Sequence, residues 1–151
     1  KLNYITFLVR DIKKAVSFYQ NLAGLQTMDR LDLEAGEIVF LANAKGETML
    51  ELVGFEGAEK VMATGMVISF LAEGDLKALR EKALALGYSP SDIITKAPKP
   101  KHFTVADPDG LVVECPGHVE LGRTGPGLRQ RRIDRALRDL GNLPQAPDLS
   151  E

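Results

Sequence analysis

Val112-Val113-Glu114-Cys115 stands in register with Met49-Leu50-Glu51-Leu52, 63 residues earlier, and each run sets one glutamate inside an apolar, strand-like stretch. The same offset carries Phe7 onto Phe70, Leu8 onto Leu71 and Gly24 onto Gly87, so the chain consists of two copies of one unit. A glutamate in the middle of an apolar strand is costly to bury unless something pairs with it or uses it. Two of them related by an internal repeat, Glu51 and Glu114, point to one shared site.

The residues around these runs set the order of elements. In the first unit Tyr4 to Val9 reads as a strand and Asp11 as a helix N-cap, while Ile12, Val16, Tyr19 and Leu22 recur near helical spacing until Gly24, a residue that accepts positive φ. Leu25 to Asp32, Glu37 to Asn43 and Thr48 to Val53 follow as strands, divided by the turn-like stretches Glu34-Ala35-Gly36 and Asn43-Ala44-Lys45-Gly46. The second unit repeats this order. Met66 to Leu71 is a strand, Asp75 caps a helix with Leu76, Leu79, Ala83 and Leu86 on one face, and Gly87 ends it. Tyr88 to Thr95 is expected as the next strand, with Pro90 suggesting an edge position or an irregular start. After the basic loop Lys96-Ala97-Pro98-Lys99-Pro100-Lys101, the segments His102 to Ala106 and Leu111 to Cys115 make a hairpin closed by Asp107-Pro108-Asp109-Gly110.

The fold class this predicts is α+β. Two βαβββ modules, residues 2–53 and 66–116, are joined by a connector over 54–65 and form a curved mixed β-sheet around a pocket, with a C-terminal helical extension. Strand alternation assigns the faces. Ile5, Phe7, Val9, Ile68 and Phe70 pack under the two helices, which leaves Tyr4, Thr6, Leu8, Val67, Ser69 and Leu71 on the opposite side. Glu51 shares its face with Met49 and Val53, and Glu114 with Val112. An acidic side chain does not belong beneath a helix, so both glutamates are expected on the open side, in a common concavity. The expected ligand contacts are Tyr4, Thr6, Met49, Val67, Ser69, His102 and Val112, although a lone strand histidine such as His102 is more often a surface or packing residue. Cys115 alternates away from Glu114 and should pack under a helix as an inert thiol. Asp107 and Asp109 serve the turn, His118 is solvated, and the lysine loop is either a rim over the pocket or a linker.

Composition bounds the function classes. The chain has 151 residues, 44% hydrophobic and 26% charged, enough for a real core. A net charge of -2 argues against general nucleic-acid binding. The single cysteine excludes an intrachain disulfide and fits a reducing compartment, and no apolar run approaches the roughly 18 residues of a membrane span. The amino terminus carries no signal-peptide pattern and begins at Lys1 rather than methionine, so a few missing upstream residues and a cytoplasmic location are the expectation. Residues 117–151 lie outside the repeat, and 119–151 are the C-terminal extension. There Leu128 to Leu140 reads as a helix with a narrow apolar stripe and six nearby arginines, Arg123, Arg129, Arg131, Arg132, Arg135 and Arg138, followed by a flexible tail. It is either a docked amphipathic helix or a partner-binding element for acidic or phosphate-bearing molecules.

These residues resemble the vicinal oxygen chelate superfamily, which groups glyoxalases, bleomycin-resistance proteins and extradiol dioxygenases. The resemblance covers residues 2–116, within a glyoxalase-like domain expected over 1–118. It rests on Tyr4-Ile5-Thr6-Phe7-Leu8-Val9-Arg10-Asp11 with Ser17-Phe18-Tyr19-Gln20-Asn21-Leu22, on Asp107-Pro108-Asp109-Gly110-Leu111-Val112-Val113-Glu114, and on the repeated unit. It implies a small-molecule ligand and a homodimer, since members commonly complete or pair their sheets between chains. Metal-dependent members take ligands from the first and last strands of each module. The matching positions here are Tyr4, Glu51, Val67 and Glu114, where valine coordinates nothing and a phenol with its pKa of about 10 is a poor ligand. No cofactor is therefore expected, and a weak magnesium or manganese site on the two carboxylates ranks below the metal-free readings.

Three readings of Glu51 and Glu114 remain. They form a relic site, or an acidic lining for a cationic or hydrogen-bond-donating ligand, or the acid-base pair of a lyase or isomerase, since carboxylates sharing an apolar pocket cannot both ionise easily.

Overall fold

Asp11 and Asp75 start the two helices by the same chemistry. In the computed structural model, which describes residues 1–57, 65–96 and 99–117, the Asp11 carboxylate accepts from the Lys14 N–H at 3.0 Å and that of Asp75 from Lys77 and Ala78 at 3.3 and 3.1 Å. Each bond satisfies first-turn donors that a helix cannot satisfy itself. The Lys14 N–H also lowers the Asp11 carboxyl from its ordinary value. At the other end Gly24 and Gly87 take φ of 73° and 87°, a left-handed conformation that stops each helix at little steric cost.

The elements are β1 (Tyr4–Leu8), α1 (Ile12–Asn21), β2 (Gln26–Leu33), β3 (Gly36–Ala42) and β4 (Met49–Phe55), then β5 (Val67–Ser69), α2 (Leu76–Ala85), β6 (His102–Ala106) and β7 (Val112–Pro116). They build an α+β fold of two mixed sheets, ordered β1-β4-β3-β2 and β5-β7-β6. In each module the first strand runs parallel to the last. Tyr4 pairs with Met49 and Thr6 with Glu51, while Val67 pairs with Val112 and Ser69 with Glu114. The sequence repeat is thus also a repeat of hydrogen-bond register.

The expected strand over Tyr88 to Thr95 does not form. This segment runs beside β6 but touches it irregularly: Ser91 N donates to the Thr104 carbonyl at 2.8 Å, and Ile94 and His102 exchange backbone bonds at 2.7 and 3.1 Å. Three steps from Ser91 to Ile94 thus face two from Thr104 to His102, which is a bulge. Pro90 has no N–H to give, and the Ser91 hydroxyl takes the Thr104 N–H at 3.0 Å in place of a carbonyl.

The core joins both modules. Phe18 and Tyr19 of α1 are fully buried in one cluster with Phe7, Val39, Leu41 and Leu52 of the first sheet and Phe103, Val113 and Cys115 of the second. Each such side chain contributes about 1.5–3 kcal/mol by leaving water. Phe18 meets Tyr88 edge-on at 4.9 Å, and Tyr19 lies 5.9 Å from Phe70. Two expectations about the packed faces need correction. Ile5 is 42% exposed at the opening of β1 and lies outside the core cluster, and Leu86 is 42% exposed because the α2 helix has ended before it.

A buried polar clasp closes the junction. Tyr19 donates its hydroxyl to Asp107 Oδ2 at 2.8 Å, while Asp107 Oδ1 accepts from the N–H groups of Asp109 and Leu111 at 2.9 and 2.8 Å. Burial first, and the Asp107 charge next, push the Tyr19 phenol far above its ordinary value, so it keeps its proton and donates. Asp109 in turn accepts from the Arg10 N–H at 2.9 Å. These turn carboxylates therefore hold the modules together as well as shaping the hairpin. Residues 58–64 of the connector, Ala97 and Pro98, His118 and the arginine-rich extension lie outside the described residues. Among the described residues no helix is long and apolar enough to cross a membrane.

Candidate functional site

Glu51 and Glu114 occupy the same station in their modules, on the last strand and opposite the first. Glu51 faces Thr6 on one side and Phe40 on the other; Glu114 faces Ser69 and Thr104. Neither lies beneath a helix, because the alternate residues Leu50, Leu52, Val113 and Cys115 are the ones that enter the core. The glutamates sit in different sheets and have different partners. The Thr6 hydroxyl donates to Glu51 Oε2. Glu114 Oε2 instead accepts from Lys99 Nζ at 2.5 Å, which draws the basic loop onto the face of the second module.

His102 lies beside that ion pair. Its side chain is 8% exposed and its Nε2 stands 3.6 Å from Glu114 Oε2, too far for a hydrogen bond. Nδ1 is 2.8 Å from the Pro100 carbonyl, and a carbonyl only accepts, so Nδ1 carries the proton. In the neutral ring this leaves the Nε2 lone pair on the side of Glu114. His102 is thus buried next to the glutamate.

Other expected site residues fall where alternation puts them. Tyr4 and Val67 open the first strands of the two modules and are exposed, as are Thr6, Ser69 and Val112, while Met49 is half-buried. Cys115 is buried, and loss of solvent, then the Glu114 charge, push its thiol up to about 11. A thiol that stays protonated is a weak nucleophile. Iodoacetamide at pH 8 is expected to label it at less than about a tenth of the rate of a free cysteine, with the difference lost in denaturant. Equal rates in the folded protein would show that Cys115 is reached by solvent.

The features missed in the sequence are contacts between distant residues. Lys99 was legible as part of a basic loop, rim or linker, but not as the partner of Glu114. Phe40, Met28 and Asp29 line a cavity of about 550 Å³ with Tyr4 and Met49 on the open face of the first module. A second cavity of about 690 Å³ lies between the end of α1 and β5, with Gln26, Asn43, Ser69 and Leu71 on its wall. Neither Glu51 nor Glu114 lines either cavity.

Comparison with known families is decisive at this point: the model of the Glyoxalase/Bleomycin resistance protein/Dioxygenase superfamily matches residues 1–115. The chain belongs to that superfamily. Solved structures share its fold at low identity. A trypanothione-dependent glyoxalase I from Leishmania major is 20% identical with a TM-score of 0.64, covering 93% of this chain and 97% of its own. TnmS3, an antibiotic-binding protein from Streptomyces sp. CB03234, is 20% identical with a TM-score of 0.62, covering 79% of this chain and 96% of its own. A variant of the fosfomycin resistance protein FosX from Listeria monocytogenes, complexed with Mn(II) and 1S,2S-dihydroxypropylphosphonic acid, is 18% identical with a TM-score of 0.67, covering 87% and 96%. At these identities the likeness to members of the superfamily is one of fold. A comparison with curated proteins finds no match.

Proposed function

We propose that the chain binds a small molecule on its open sheet faces, with Glu51 as acceptor for a cationic or hydrogen-bond-donating group and with no bound metal ion. The observation that carries this reading is the asymmetry of the glutamates. Glu114 is neutralised by Lys99, whereas Glu51 has the uncharged Thr6 hydroxyl as its partner and no ion pair among the described residues. Its charge borders Phe40 and the apolar face of Tyr4 and Met49, where an incoming donor loses little competition from water. Val67, Ser69, His102 and Val112 are the corresponding contacts on the second module.

The donor set does not suit the metal that some members of the fold carry. Val67 has no donor atom, Tyr4 is engaged edge-on with Phe40 at 5.8 Å, and Glu114 Oε2 is already held by Lys99. Among the described residues no three His, Cys, Asp or Glu side chains are grouped so as to hold an ion.

A homodimer belongs to the same reading, supported by the apolar side chains that the second module leaves uncovered, with Val67 54% and Leu71 56% exposed. A second reading, a lyase or isomerase, is favoured by the placement of the buried His102 ring beside Glu114.

Screening a metabolite library by native mass spectrometry tests these together, since it reports ligand, metal and dimer in one spectrum. For a ligand so found, Glu51→Gln is expected to weaken binding about tenfold with no chemical change to the ligand. Turnover that falls on the order of 10²-fold in Glu51→Gln or Glu114→Gln while binding holds identifies the enzyme instead. If neither variant alters binding or turnover, both functional readings fail and the carboxylates are a relic.

A further inference from the structure

The first module carries a cavity whose lining is more specific than an apolar patch. Thr27 pairs with Leu41 and Asp29 with Phe40, so Met28 is the extra residue of a bulge in β2. Regular alternation would send Met28 to the opposite face from its neighbours, but Thr27, Met28 and Asp29 all line the same cavity. A bulge re-aims a side chain in this way, and such bulges gather beside functional sites. Across from Met28 the rings of Tyr4 and Phe40 meet at 5.8 Å with their planes 70° apart, and Met49 joins them from β4.

We propose that this cavity seats a flat aromatic ring between Tyr4, Phe40, Met28 and Met49. The proposal rests on the small-molecule reading above and adds the ligand's chemical class. A volume of about 550 Å³ suits a ring system of drug size. Two rings and two thioethers select for an aromatic guest over an aliphatic one of equal volume. Rings in edge-to-face or offset contact gain about 0.5–1.5 kcal/mol beyond the area they bury, and thioether sulfur adds a similar contact at a ring edge. Asp29 and Lys45 stand among the polar lining, where substituents on the ring can stay hydrated.

The test uses two amines of similar charge, proflavine, which is planar and aromatic, and amantadine, which is a saturated cage, titrated into the full chain by calorimetry. Proflavine is expected to bind about tenfold or more tighter than amantadine. Phe40→Leu and Met28→Ala, each still folded by circular dichroism, are expected to lose about tenfold for proflavine and little for amantadine. Equal affinities for the two amines, no binding of either, or unchanged proflavine binding in both variants overturns the aromatic seat. Glu51→Gln separates this outcome from failure of the acidic reading. Loss of both amines in Glu51→Gln with no effect of Phe40→Leu leaves the acidic reading standing and the seat refuted. The reverse pattern leaves the seat standing and the acidic reading refuted.

Discussion

Asp107→Ala is expected to destabilise the domain by about 3–5 kcal/mol, because one carboxylate serves three buried or partly buried donors at once. Its removal strands the Tyr19 hydroxyl and the N–H groups of Asp109 and Leu111, and each donor left without a partner costs about 1–3 kcal/mol. Water can recover part of that cost at the hairpin, but less readily at Tyr19, which is fully buried. Against a total stability of about 5–15 kcal/mol for a domain this is a large fraction. Tyr19→Phe removes one bond and keeps the ring, so about 1–1.5 kcal/mol is expected. The double variant should cost less than the sum of the two, because both changes delete the same contact. Urea unfolding followed by circular dichroism measures all three. Strict additivity would mean that Tyr19 and Asp107 do not interact in solution.

Gly36→Ala is the second change expected to have a large effect. Gly36 opens β3 at φ 151°, and a methyl group there would collide with the Gly54 carbonyl oxygen and the Phe55 ring. A backbone oxygen cannot turn aside as a flexible side chain can, so β3 and β4 must separate at that end. The expected cost is about 2–4 kcal/mol, combining overpacking with a backbone conformation that L-residues avoid. Gly46→Ala is the control. Its φ is 87°, and the added methyl group meets nothing within 4 Å, so only the conformational cost of about 1–2 kcal/mol remains. Equal losses in the two variants would show that the β3–β4 edge yields freely and that the close approach at Gly36 carries no energy.

Local chemistry made much of this molecule legible in advance. Aspartate before an amphipathic run caps a helix whatever lies around it, and Asp11 and Asp75 do so. The β6–β7 hairpin follows from the turn residues Asp107 to Gly110. Strand alternation placed Cys115 in the core and the two glutamates outside it, since burying an unpaired carboxylate under a helix is costly. Where the local signal was mixed it misled. Tyr88 to Thr95 has the composition of a strand, yet the missing N–H of Pro90 and the hydroxyl of Ser91 turn it into a bulged edge that makes only scattered bonds to β6.

Two repeated units, the order of their elements and the matched stations of Glu51 and Glu114 were determined by the sequence alone, because each depends on residues close together in the chain or on a fixed period. Tertiary structure decided what each glutamate meets. Lys99 reaches Glu114 from 15 residues away and Thr6 reaches Glu51 from 45, so identical residues in equivalent positions meet a cation in one case and an uncharged hydroxyl in the other. The same holds for the clasp between Tyr19 and Asp107, 88 residues apart. A buried phenol needs an acceptor. Which acceptor it finds depends on how α1 packs across both sheets, and no local pattern encodes that.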